Sequence, residues 1–208
     1  MKPPLYFDLD DTLFPSTDFT REARDNAVKA MIAQGAPYSF EELRLALDRI
    51  VEEKTSNYPY HFDLLAKQFN LTPLERYVAA AVAAYHATKF HMTPYPEVHY
   101  VLTELKMRGY PLYVVTQGLP KKQWEKIIRL RLEWLFENNV IVTDQKTPEF
   151  FKSLEKGVMI GDNPESDIAP AREAGHYTIR IRRGKRAHLP SNAHREITDL
   201  RELLTLYK

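Results

Sequence analysis

The chain has 208 residues, 44% hydrophobic and 27% charged, a composition that fits a folded globular protein and excludes a disordered or fibrous one. A formal net charge of +1 gives no overall field that would select nucleic acid or an anionic membrane. The absence of cysteine excludes disulfides, thiolate nucleophiles and cysteine-ligated zinc, and fits a cytoplasmic protein.

Residues 4–9 open the chain as a short apolar strand that runs into Asp8, Asp10 and Asp11. The stretch already carries Asp8, so no signal peptide is expected. Positions i and i+2 of a strand face the same way, so Asp8 and Asp10 converge. Two carboxylates about 4 Å apart repel by about 4 kcal/mol at an effective dielectric of 20, and a cation or a shared proton must relieve them. Residues 16–92 carry no strand pattern and read as helices over 18–34, 40–55, 60–69 and 73–89. Ser39 with Glu42, and Thr72 with Glu75, have capping-box spacing, and Pro73 suits a first helical position. Phe40, Leu43, Leu47, Ile50 and Val51 form one apolar stripe. The longest unbroken apolar run, Val78 to Tyr85, is too short to span a bilayer, so no membrane association is expected.

After residue 93 the texture changes. Apolar strands at 111–116, 139–143, 157–161 and 176–181 alternate with helices at 96–108, 120–135, 148–156, 164–174 and 197–206. Gly35, Gly109 and Gly175 each follow a helical pattern, where a left-handed residue is wanted. The expected fold is α/β: a Rossmann-like parallel sheet of five strands flanked by helices, with a helical bundle inserted after the first strand. The domains are then 1–15 with 93–208, and 16–92.

Three further segments lie at the ends of predicted strands, where open parallel sheets place their sites. Thr116-Gln117-Gly118 ends a strand in a hydroxyl and a tight turn, suited to an anion. Lys146 stands just before a helix start at Thr147-Pro148. Gly161-Asp162 ends the next strand, and Asp167 follows in the first turn of a helix that Asn163 can cap.

With Asp8-Leu9-Asp10-Asp11-Thr12, these segments resemble the four motifs of the haloacid dehalogenase superfamily of phosphohydrolases, in order and over nearly the whole chain. The resemblance makes residues 16–92 a C1-type cap. It implies that Asp8 is the nucleophile forming an aspartyl-phosphate, and that Asp10 is the acid and then the base. It implies Mg²⁺ held by Asp8, the Asp10 carbonyl and Asp162, with Asp167 as a further ligand or as a partner of the lysine. Thr116 and the Gln117 N–H would hold phosphoryl oxygens. The motif lysine is read as Lys146, with Lys121, Lys122 and Lys152 as alternatives.

The partner is then a small phosphorylated metabolite, whose identity and the oligomeric state are not legible. The cap should carry specificity. Its polar and aromatic loop Lys54–His61, with Tyr58, Tyr60 and His61, and Phe14, Thr17 and Phe19 beside the first hinge, are the residues to expect at an entrance. Asp10 argues against 2-haloacid dehalogenation, which does not use an acid/base pair on this motif. Phosphonate cleavage would need a Schiff-base lysine from the cap, and Lys29, Lys54, Lys67 and Lys89 have no context for it. A phosphomutase would share all four motifs, and a non-catalytic binding protein would ordinarily have lost one of the two aspartates. The run Arg180–Arg186 reads as a solvated loop rather than a nucleic-acid patch. His86, His91 and His99 lack metal-ligand spacing.

Overall fold

A computed structural model describes residues 2–55 and 58–208. In chain order the elements are β1 (Leu5–Phe7), α1 (Ser16–Ala33), α2 (Phe40–Lys54), α3 (His61–Gln68), α4 (Leu74–Thr88), α5 (Val98–Met107), β2 (Leu112–Gln117), α6 (Pro120–Arg129), α7 (Glu133–Phe136), β3 (Val140–Thr143), α8 (Pro148–Lys152), β4 (Val158–Gly161), α9 (Ala169–Glu173), β5 (Tyr177–Ile181), β6 (Arg195–Ile197) and α10 (Leu203–Leu206). The chain divides into two compact units, Met1–Thr17 with Thr93–Lys208, and Asp18–Met92. No described helix is long and apolar enough to cross a membrane.

The first unit holds a parallel sheet in the order β3-β2-β1-β4-β5-β6. Its central strands are buried on both faces: Tyr6 and Phe7 on β1, Val114 and Val115 on β2, Met159 and Ile160 on β4. Near-continuous apolar runs are what a sheet covered by helices on both sides requires. The chain leaves β1 toward β2 on one side and returns to β4 on the other. Beside β1 the strand order therefore reverses, and a crevice opens at the carboxyl ends.

The sheet has six strands where five were expected. β6 offers one buried residue, Ile197, beside exposed Arg195 and Glu196, so this short edge strand carries no apolar run. The helix expected at 197–206 is accordingly shorter: Asp199 and Glu202 form a capping box over a single 3₁₀ turn, and α10 follows. The helix expected at 120–135 is two helices, broken where Arg131 takes a left-handed φ of 54°.

The second unit is four helices around Val28, Met31, Leu43, Leu47, Leu65 and Ala81, all inaccessible to solvent. Ser39 and Glu42 make the full capping box that starts α2. Thr72 does not cap α4. Pro73 takes the cap position itself, one place earlier than expected, and no side chain bonds the first turn.

Candidate active site

The site is assembled from loops that follow β1, β2, β3, β4 and β5. The Asp8 N–H still donates to Ile160 O (2.9 Å), which fixes the residue as a continuation of the strand. The chain then turns sharply, with the Leu13 and Phe14 N–H groups both donating to Leu9 O. Asp11 adopts a left-handed φ of 58° in that turn. Its carboxylate accepts from Ser16 Oγ (3.1 Å), the Thr17 N–H (2.9 Å) and Thr17 Oγ1 (2.5 Å). Asp11 is thus consumed in starting α1, satisfying backbone and hydroxyl donors at its first turn. Asp8 and Asp10 remain for other work.

β4 delivers Asp162 directly after Gly161. A Cβ at Gly161 would collide with the Asp167 carboxylate, so glycine is what allows Asp167 to lie against the strand end. Asn163 caps the following π-helical turn through Glu165 and Ser166, and the Asn163 N–H donates to Asp167 Oδ2 (3.1 Å). Asp8, Asp162 and Asp167, all buried, each offer an oxygen within 4.8 Å of the others. Lys146 stands among them, donating to Asp8 Oδ1 (2.5 Å) and Asp167 Oδ1 (2.6 Å). It is held by the loop before α8, whose start Thr147 caps from its side chain. Thr116, at the end of β2, donates from Oγ1 to Gln123 Oε1 (3.2 Å), while Gln123 Nε2 donates to Gln117 O (3.1 Å). Gln123 therefore ties α6 to the turn that ends β2. One open pocket is lined by Asp8, Asp10, Thr116, Gln117, Lys146, Asp162, Asn163, Ser166, Asp167 and Arg186.

The charges do not balance. Burial first, then Asp167 and Asp10, push the Asp8 carboxyl up to about 7, against the pull of Lys146. Burial, Asp8 and Asp167 push Asp162 up to about 8, with Arg186 opposing. Burial alone would weaken the Lys146 ammonium, but Asp167 and Asp8 outweigh it and hold its proton more tightly than usual. Three hard carboxylates that the Lys146 ammonium and the Arg186 guanidinium together do not neutralise are a fitting set for a divalent cation such as Mg²⁺.

A pH dependence follows. Between about pH 4 and pH 8 the folded protein keeps protons on Asp8 and Asp162 that the unfolded chain has released. Fewer protons are bound in the unfolded state, so the stability of metal-free protein falls as pH rises through this window. Urea denaturation in a chelator should show a lower midpoint at about pH 8 than at about pH 5. Added Mg²⁺ should recover the loss at the higher pH. A profile that is flat or rises with pH contradicts the charge balance described.

The lysine alternatives separate cleanly. Lys121, Lys122 and Lys152 are exposed and do not line the pocket, whereas Lys146 is 6% exposed. The sequence reading missed Lys126, whose Nζ donates to both Asp10 oxygens (2.8 and 2.6 Å). It lies two turns into α6, on the side of buried Gln123 and Ile127 rather than of exposed Trp124 and Ile128. That helical spacing places Lys126 on the inward side of the helix but does not name its partner.

The run Arg180–Arg186 is solvated only in part: Arg182, Gly184 and Lys185 are exposed. Arg180 is fully buried, Arg183 lies over the Tyr95 ring at 4.2 Å and pairs with Glu97, and Arg186 reaches Asp162. β5 runs on through Arg180, which draws the first cation into the interior, and Arg183 and Arg186 find acceptors on other loops, while Arg182 and Lys185 stay exposed. Phe14 is 2% exposed, so its ring is not presented to solvent at an entrance. Thr17 is occupied by Asp11. In the second unit Tyr58 packs edge-on against Tyr60 and His61, and Tyr60 is exposed. Ser56 and Asn57 of the same loop lie outside the described residues.

Comparison with known proteins agrees with this geometry. A family model for haloacid dehalogenase-like hydrolases matches residues 5–175. A glyceraldehyde 3-phosphate phosphatase of Methanopyrus kandleri is 44% identical over 194 residues, covering 86% of this chain and 83% of that protein. One of the same name from Pyrococcus furiosus is 38% identical over 218 residues, covering 96% of this chain and 90% of that protein. The crystal structure of a haloacid dehalogenase-type phosphatase from Thermococcus onnurineus shares the fold, with a TM-score of 0.67 at 23% identity over 99% of this chain and 97% of that one. The chain belongs to the haloacid dehalogenase-like hydrolase family.

Proposed function

We propose that the protein is an Mg²⁺-dependent phosphatase of a short-chain phosphate monoester, with glyceraldehyde 3-phosphate as its leading substrate. The observation that carries this reading is the convergence of Asp8, Asp162 and Asp167, the first and last of them bonded to Lys146, in one pocket with Asp10 and Thr116. The substrate is supported by the names of the two relatives above.

In this reading an Asp8 oxygen attacks phosphorus in line while the bond from phosphorus to the ester oxygen breaks. Protonated Asp10 gives its proton to the departing oxygen. The product alcohol leaves, and Asp8 carries the phosphoryl group. Asp10 then takes a proton from water as that water attacks phosphorus, which releases inorganic phosphate and restores Asp8. Lys126 orients Asp10 through both oxygens while it acts as the base, and one of these bonds gives way when Asp10 carries the proton. Thr116 Oγ1 and the Gln117 N–H hold the non-bridging oxygens, and the Lys146 ammonium offsets charge shared by nucleophile and phosphate. Asp8, Asp162, Asp167 and the Asp10 carbonyl would hold Mg²⁺, which when bound would supply the remaining positive charge that a dianionic phosphoryl group needs beside three carboxylates. The aromatic loop at Tyr58, Tyr60 and His61 is our candidate for residues that discriminate among leaving groups, supported by its mutual edge-on packing and the exposure of Tyr60.

A panel of phosphorylated metabolites, scored by phosphate release with Mg²⁺ and with a chelator, tests the proposal. Glyceraldehyde 3-phosphate is expected to have the highest kcat/KM, and the chelator to remove activity. An isomerised sugar phosphate without free phosphate would make the protein a mutase. No phosphate release from any ester would end the hydrolase reading of the site.

A further inference from the structure

The basic run Arg180–Arg186 has no part in the hydrolytic steps, yet it is built into the site. The Arg180 guanidinium is inaccessible to solvent, and a buried cation persists only when its donors are met. Nε donates to Asp162 O (3.2 Å), Nη1 to Leu189 O (2.5 Å) and Glu196 Oε1 (3.2 Å), and Nη2 to Arg186 O (2.6 Å). One side chain thus ties the backbone of Asp162 to the backbone of Arg186. The loop between them is anchored twice more. Gly184, at φ 59°, lies where a Cβ would collide with the Asp11 carboxylate, and Arg183 Nη1 donates to Thr12 O (3.2 Å). A loop held at these points places its side chains reproducibly.

Arg186 is the side chain this loop delivers to the pocket. Its Nη1 lies 3.5 Å from Asp162 Oδ2, and that carboxylate is the guanidinium's partner among the described residues. The distance is long for a hydrogen bond, so the link is mainly Coulombic. A fixed positive charge on a cation ligand has a definite consequence. It draws on the same carboxylate that a divalent ion would use, and it repels that ion.

We propose that Arg186, held by Arg180, is a positioning residue that competes with the divalent cation for Asp162 and so weakens cation binding. The inference rests on the reading of Asp8, Asp162 and Asp167 as cation ligands. It makes cation affinity a property set partly by the loop after β5, and not by the carboxylates alone.

Cation binding without substrate tests it, with Mn²⁺ followed by electron paramagnetic resonance and Mg²⁺ by calorimetry. Arg186→Met should bind either ion about tenfold more tightly than wild type. Arg186→Lys keeps the charge and should stay within about twofold of wild type. Arg180→Met releases the loop and should shift affinity in the same direction as Arg186→Met; if it fails to fold, the two Arg186 variants carry the test. Unchanged or weaker binding in Arg186→Met overturns the proposal. If wild type bound neither ion, the cation-ligand reading would fall first and this inference with it. Wild-type binding with no tightening in Arg186→Met removes this inference alone.

Discussion

Asp8→Asn is expected to lower phosphate release by roughly 10⁴-fold or more at saturating Mg²⁺, the scale on which removal of a covalent nucleophile acts. The loss is this large because uncatalysed hydrolysis of a phosphate monoester is so slow that accelerations of up to ~10²¹ are required. Nothing else in the pocket supplies a second nucleophile at the end of β1. Lys146 is a cation, the Thr116 hydroxyl rests against a neutral amide oxygen that cannot take its proton, and Asp10 is held by Lys126. The variant also separates chemistry from folding. Asn keeps the shape of the side chain and an oxygen that can accept from Lys146, while removing a charge that burial disfavours. Metal-free Asp8→Asn should therefore melt no lower than wild type at about pH 8 while being inactive. Wild-type turnover in this variant would show that the aspartate is not the nucleophile.

The site was more legible in the sequence than its surroundings, for a physical reason. Aspartates at strand ends, a glycine before Asp162 and a lysine before a proline-started helix are local signals, each readable within a few residues. Lys126 and Arg186 reach their partners across long stretches of chain: Lys126 Nζ meets Asp10 from α6, and Arg186 meets Asp162 from the loop after β5. No local pattern encodes such a meeting. The same distinction holds in the fold. The five expected strands announce themselves through apolar runs. β6 buries only Ile197 and is specified by pairing with β5. The basic run misled because five cations in seven residues suggest solvent, whereas Arg180 is satisfied by three carbonyls and a glutamate contributed by segments that fold around it.

Lys146→Met should be the most damaging single change to stability, because it leaves three buried carboxylates without the ammonium that links two of them. Breaking a buried pair from one side typically costs about 3–5 kcal/mol, and the full amount is expected in metal-free protein at about pH 8. The cost should shrink toward pH 5. Asp8 and Asp162 already bind protons up to about 7 and 8 in the native site, and a protonated carboxyl needs no cation. Mg²⁺ at about pH 8 should recover part of the stability by binding only the folded state. It should not recover activity, which is expected to stay roughly 10²- to 10³-fold below wild type, because the charge placed between nucleophile and phosphate is gone. Lys146→Arg is expected to fail as well. A planar guanidinium is larger and cannot place one donor atom 2.5 Å from Asp8 and 2.6 Å from Asp167 in a slot that leaves 6% of the residue exposed. Denaturation curves at two pH values, with and without Mg²⁺, measure every part of this. If Lys146→Met were as stable as wild type at about pH 8 in a chelator, the ammonium would not be what holds Asp8 and Asp167 together.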